Sequence, residues 1–266
     1  MQAMILAAGR GERLRPLTDR CPKPLLPVHG RSLIEWHLLR LARQGFKQVV
    51  INTAHLGGMI QDQLGNGEQF GLSIRYSREP EGALETAGGI ATAQPWASQS
   101  EPFLVINGDV LCDWPLEQAR ALGNAFSDTE HPMDALLVMV KNPPHHPNGD
   151  FVLVNGGRAR EASEARYDGL DGRHAPLPLA NPADAVSHNS DEQTLTYSGL
   201  GLFHPRLFVD VPRGERQALG PLLKTAATRG RLAGLRHEGL WVDVGTVERL
   251  EWVNSQKDLP SQLWSA

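Results

Sequence analysis

The stretch from Leu6 to Leu25, LAAGRGERLRPLTDRCPKPL, combines small residues with closely spaced cations, the ingredients of a phosphate-binding loop. At Ala7, Ala8, Gly9 and Gly11 the lack of bulky side chains lets backbone N–H groups close on an anion. Glycine also tolerates the positive φ that such a turn needs. Arg13 and Lys23 stand within reach of the same pocket, and Arg15 is a third candidate. Arginine grips a phosphate through parallel N–H donors, whereas lysine acts as a point charge. Pro22 and Pro24 flank Lys23 and restrict its backbone, an odd arrangement for a solvated surface turn.

Two other glycine-rich phosphate loops do not fit. A dinucleotide fingerprint needs a third glycine where Leu14 stands, and the GxxxxGK[ST] pattern is absent.

A loop of this kind has to be presented by a strand, and Ala3–Ala8 is short, apolar and followed by glycines, as for a strand buried on both faces. Ser32–Gln44 carries Leu33, Trp36, Leu39, Leu41 and Ala42 near a helical period. Ser32 and Glu35 have the spacing of a capping box, and Gly45 makes a natural stop. Further strands are expected at Gln48–Asn52, Leu72–Tyr76, Pro102–Asn107 and Ala135–Val140, and helices at Leu56–Leu64, Thr86–Gln94 and Leu116–Phe126. This alternation predicts an α/β fold: a Rossmann-like, mostly parallel sheet flanked by helices. Ligands then sit beyond the carboxyl ends of the strands, near Gly9–Pro16, Thr53–His55 and Gly108–Val110.

From about 142 to 194 the composition turns to Pro, Gly, His, Asn and Asp. Residues 168–189 show no period, so 157–194 is read as a mobile surface insertion in a single domain spanning 1–266. Regular structure is expected to resume with strands Leu195–Phe203 and His237–Val242 and helices Gln217–Thr228 and Val247–Gln256. His145 and His146 in PPHHPN read as loop surface, and Trp241, Trp252 and Trp264 as core or terminal packing.

The 266 residues carry a formal net charge of −4, with basic residues scattered outside the first loop. That argues against a nucleic-acid partner, which calls for a basic stripe. No apolar run approaches the roughly 20 residues that span a bilayer. The N-terminus lacks a signal peptide's basic start. Cys21 and Cys112 have no metal or redox spacing. A cytoplasmic monomer with reduced thiols and no membrane partner is therefore expected.

The run at 6–25 resembles the signature of sugar-1-phosphate nucleotidyltransferases, LAAGxGxRLxPLT followed by PKPL. LETAGGI at 84–90, NGDV at 107–110, YSGLGLF at 197–203 and WVDVGT at 241–246 extend the likeness along most of the chain. The resemblance implies a nucleotide-diphospho-sugar transferase fold with a smaller sugar-binding part. The substrates it implies are a nucleoside triphosphate and a sugar 1-phosphate, and the cofactor is Mg²⁺.

The same resemblance assigns roles. Arg13 and Lys23 would be the catalytic cations on the triphosphate. The nucleotide would lie on Leu6, Ala7, Ala8, Gly9, Gly11, Glu12, Arg13 and Lys23, with its base near Asn52, Ala54, Glu85, Thr86, Gly88 and Gly89. Gly88 would let the base approach the backbone, although Thr86–Gly89 also reads as a helix start. Asn107, Gly149, Asp150, Ser198 and Gly199 would hold the sugar phosphate, with Asp150 equally readable as a solvated loop carboxylate. Asp109 and Asp243 would hold Mg²⁺, which asks for hard oxygen ligands.

Within the family, LETAGGI and NGDV are most similar to N-acetylmuramate-1-phosphate uridylyltransferases of bacterial cell-wall recycling, which implies UTP. Mannose-1-phosphate guanylyltransferases share most of these motifs, and glucose-1-phosphate thymidylyltransferases are more distant. The insertion at 157–194 departs from the compact uridylyltransferase form. A non-catalytic nucleotide-sugar-binding subunit of the same fold would be expected to lose a metal carboxylate or the phosphate lysine, and both are kept here.

Overall fold

The computed structural model describes residues 1–80, 84–96, 98–127, 132–154, 176–180, 194–259, 261 and 263. Its first half follows the alternation of the sequence: β1 (Ala3–Leu6), α1 (Leu33–Arg43), β2 (Gln48–Thr53), α2 (Gly57–Leu64), β3 (Ser73–Arg78), α3 (Glu85–Ala93) and β4 (Phe103–Asn107). The capping box at the start of α1 forms, with the Glu35 carboxylate accepting from both N–H and Oγ of Ser32. After β5 (Val110–Cys112), α4 (Gln118–Gly123) and β6 (Ala135–Val140) come the short β7 (Phe151–Leu153) and β8 (Leu177–Ala180). The long β9 (Thr194–Phe203), α5 (Leu219–Thr228), β10 (Leu232–Arg236), β11 (Trp241–Asp243) and α6 (Val247–Ser255) complete the fold.

Nine strands form the main sheet in the order β3-β2-β1-β4-β9-β6-β10-β8-β7. The first four are mutually parallel. The parallel run ends at β4, because β9 inserts antiparallel between β4 and β6. Only β6 and β10 are parallel beyond that point, so the second half of the sheet is mixed.

Period-two alternation divides the core between the two faces. Ala3 and Ile5 of β1 face the layer built by α1, α2 and α4, with Leu38, Ile60 and Leu122. Met4 faces α3 and α5, with Ile90 and Leu223. A smaller cluster, with Leu14, Trp36, Val242 and Leu250, joins the first loop to the C-terminal ribbon and helix. No helix among the described residues is long and apolar enough to cross a membrane.

Three expectations need correction. Residues 168–189 are not without regular structure, since Leu177–Ala180 is a strand pairing with β10 and β7. Gly234 makes this fit possible, because a Cβ there would lie 2.8 Å from Leu179 Cδ1. The rest of 157–193, apart from Pro176, lies outside the described residues. His237–Val242 is not one strand: β10 ends at Arg236, a turn through Gly239 follows, and β11 begins at Trp241. Trp252 is 49% exposed rather than packed, and Trp264 lies outside the described residues.

Candidate active site

The loop after β1 leaves the carboxyl end of the parallel strands, where unpaired backbone groups are available. Asn52 at the end of the neighbouring β2 fixes its start: Ala7 N donates to Asn52 Oδ1 at 2.8 Å. Gly11, at φ 68°, closes the far end. A Cβ there would press on Thr18 Cγ2 at 3.0 Å and Lys23 Cβ at 3.1 Å. Gly9 has open space where a side chain would be, which leaves its backbone accessible. Leu6, Ala7, Ala8, Gly9 and Lys23 line a cavity of about 210 Å³ together with Asn52, Glu85, Thr86, Asn107 and Asp109. Glu12 and Arg13 lie outside this lining, on the exposed short turn that follows Gly11.

Lys23, buried within its Pro-Lys-Pro turn, forms an ion pair through Nζ with Asp109 Oδ2. Asp243 is brought to the same end of the cleft by a two-stranded ribbon. β11 runs antiparallel to β5 with Asp243 opposite Val110, and Val244 N donates to the carbonyl of Asp109 at 2.9 Å. Arg249 on α6 holds Asp243 Oδ2 at 2.8 Å. Gly245 accounts for the crowding here. A Cβ at that position would lie 2.9 Å from each of Arg13 Nη2, Arg249 Nη2 and Asp243 Oδ1. Arg13 therefore converges with the second carboxylate even though the sequence separates them widely.

Asp109 and Asp243 offer hard oxygen donors beside the glycine loop and are each met by a cation of the chain itself. That donor set fits a magnesium ion. His145, expected on the loop surface, stands 3.7 Å from Asp243 Oδ2 and 3.2 Å from Arg249 Nη1. Burial and the adjacent Arg249 hold its imidazole below the usual histidine range.

Glu79 was not foreseen. It is buried, accepts from Asn52 Nδ2 at 2.7 Å through one oxygen, and accepts from Leu84 N at 2.9 Å through the other. It thus ties the first loop, by way of Asn52, to the start of α3. Gly89 is the space this pair requires, since a Cβ would lie 2.5 Å from Glu79 Oε1. Gly88 is filled from another side: its Cβ would meet the Glu215 carbonyl at 2.2 Å, and its N–H bonds to the Gln217 carbonyl. Ala54 also lies outside the cavity lining and begins the turn into α2. Glu85 has φ 56°, in the left-handed region that non-glycine residues seldom adopt.

Glu85, Thr86 and Asn107 also line a second cavity of about 330 Å³, with Asp150, Tyr197 and the start of α5. Asp150 is anchored: Tyr197 N donates to Oδ2 at 2.8 Å, and His146 Nε2 is 3.1 Å from Oδ1. Ser198 and Gly199 occupy an irregularity of β9, between Tyr197 and Gly201. Gly199 at φ 87° allows Asn107 to pack where a Cβ would be, 2.8 Å from Asn107 Nδ2. Gly149 gives the same close approach to Asn142 and Leu195. Ser198 is buried and turned inward, its Oγ accepting from Leu200 N. The structure thus groups Asn107 and Asp150 at the second cavity and makes Gly149, Ser198 and Gly199 its framework.

A glycine loop, a buried lysine, two carboxylates at one end of the cleft and two adjoining cavities on an α/β sheet form an arrangement suited to nucleotide-dependent phosphoryl chemistry, and the comparisons identify the family. Residues 2–165 match the nucleotidyl transferase family, and the chain belongs to it. Members transfer a nucleotidyl group to a sugar 1-phosphate. The chain is 46% identical to N-acetylmuramate alpha-1-phosphate uridylyltransferase of Neisseria meningitidis over 94% of its own length and 96% of that protein. It is 33% identical to the protein of the same name from Caulobacter vibrioides, over 91% of each. Among solved structures, a Bacillus anthracis protein described as a glucose-1-phosphate thymidylyltransferase superposes with a TM-score of 0.70. That likeness covers 96% of this chain and 94% of the other at 20% identity, and it concerns the fold alone.

Proposed function

We propose that this chain transfers uridylyl groups from UTP to N-acetylmuramate 1-phosphate with Mg²⁺, releasing pyrophosphate. The observation that carries the reading is the convergence of Lys23, Asp109, Asp243 and Arg13 beside the glycine loop. The choice of base and sugar is supported by the likeness to the Neisseria and Caulobacter proteins over nearly their whole lengths.

The triphosphate lies on the backbone N–H groups of the first loop, with Lys23 and Arg13 countering its charge. Asp109 and Asp243 hold the magnesium ion, which when bound stabilises charge on the phosphate oxygens. The sugar sits in the second cavity, where Asn107 and Glu85 offer polar contacts. Its phosphate oxygen attacks the α-phosphorus, the bond to the bridging oxygen breaks, and pyrophosphate leaves. A phosphate monoester is almost fully ionised at neutral pH, so no general base is required. The chain's contribution is positioning and charge stabilisation.

The test is pyrophosphate release from UTP, GTP, dTTP and CTP, each paired with the 1-phosphates of N-acetylmuramate, mannose, glucose and N-acetylglucosamine. Turnover concentrated on UTP with the muramate sugar is expected. Turnover on GTP with mannose 1-phosphate would overturn the substrate and keep the chemistry. No pyrophosphate from any pair would overturn both.

A further inference from the structure

The sugar named above differs from N-acetylglucosamine by a lactyl ether that carries a carboxylate. The two joined cavities are poorly prepared for an added anion by their own linings. Lys23 is the one cation among their described lining residues, and its Nζ is engaged by Asp109. Glu85 and Asp150 add negative charge to the second cavity. A carboxylate entering there would be repelled unless another cation stood at the opening.

Arg216 is the cation held on Glu85, a residue that lines both cavities. Its Nε and Nη2 lie 2.8 and 2.7 Å from Glu85 Oε1, which leaves Nη1 to donate elsewhere. The segment bearing it is pinned to α3: Gln217 N donates to the Leu84 carbonyl at 2.9 Å, and Gly88 N to the Gln217 carbonyl at 3.1 Å. The residues that follow, Ala218 to Gly220, line the second cavity themselves. Arg216 is therefore fixed in place through its backbone while its side chain remains 69% exposed.

We propose that Arg216 recognises the lactyl carboxylate and so selects the acidic sugar phosphate over its neutral counterpart. The proposal rests on the substrate reading above. Glu85 positions the guanidinium through one edge, and the incoming carboxylate takes the other, an arrangement to which a planar guanidinium is suited.

The experiment measures kcat/KM with UTP for N-acetylmuramate 1-phosphate and N-acetylglucosamine 1-phosphate, in the wild type, Arg216→Ala and Arg216→Lys. Thermal melts confirm that the variants fold. In the wild type the ratio favours the muramate sugar. In Arg216→Ala it falls by about ten- to hundredfold, the range of a charge-assisted hydrogen bond, mainly through the muramate KM. Arg216→Lys recovers part of it. A selective wild type whose ratio survives in Arg216→Ala overturns the role of Arg216 and leaves the substrate reading standing. A wild type with no preference for the muramate sugar overturns both.

Discussion

At the scale of single residues, Lys23 is the side chain on which the proposed reaction depends most. It is buried, clamped between prolines and held on Asp109. Lys23→Ala is expected to lower kcat by about a hundred- to thousandfold, as for loss of one transition-state donor. Steady-state kinetics with both substrates checks this. A change confined to KM would mean that Lys23 binds ground state and transition state alike. Lys23 was legible from its own neighbours in sequence, and so were the glycines of the loop. Glu79, Arg249 and His145 were not. Glu79 in SREPEG reads as a turn acid, Arg249 as one charge on an amphipathic helix, and His145 as loop polarity. Each acquires its role from partners that only the fold delivers: Asn52 for Glu79, Asp243 for the other two.

At the scale of elements, the strands that present the first loop announced themselves because each is an apolar run bounded by turn residues. β7 and β8 did not, being three and four residues long and specified by what they pair with. β10 was missed, and the strand expected at His237–Val242 falls on the turn through Gly239 and the start of β11, because Arg236, His237 and Glu238 interrupt the apolar pattern. The contact between α3 and the segment before α5 was equally hidden, yet Gly88 depends on it. Gly88→Ala would set a methyl group 2.2 Å from the Glu215 carbonyl, so that segment must lift away. The expected cost is about 1–3 kcal/mol of stability, with a rise in KM for the sugar phosphate larger than that for the nucleotide. Thermal melts and paired KM measurements check both parts.

At the scale of the whole molecule, stability is linked to pH through His37, buried on α1. Burial, reinforced by the neighbouring Arg40 and opposed by Asp109, holds its folded-state pKa at about 3. The ordinary histidine value is 6.5, so between these values the unfolded chain binds a proton that the folded chain refuses. The stabilisation is complete above pH 6.5 and is lost as pH falls toward 3, with a slope approaching about 1.4 kcal/mol per pH unit. Denaturant titrations at pH 7 and pH 5 should show this loss, and His37→Leu should flatten it by up to one proton; an unchanged slope would refute the assignment. The ribbon of β5 and β11 has a different consequence, one of timing. Its two strands bring Asp109 to Asp243, which follows it by 134 residues in the chain. During synthesis the loop, Lys23 and Asp109 emerge long before their acidic counterpart. Lys23 and Asp109 therefore stand beside Asp243 only once the chain has been made and folded as far as β11.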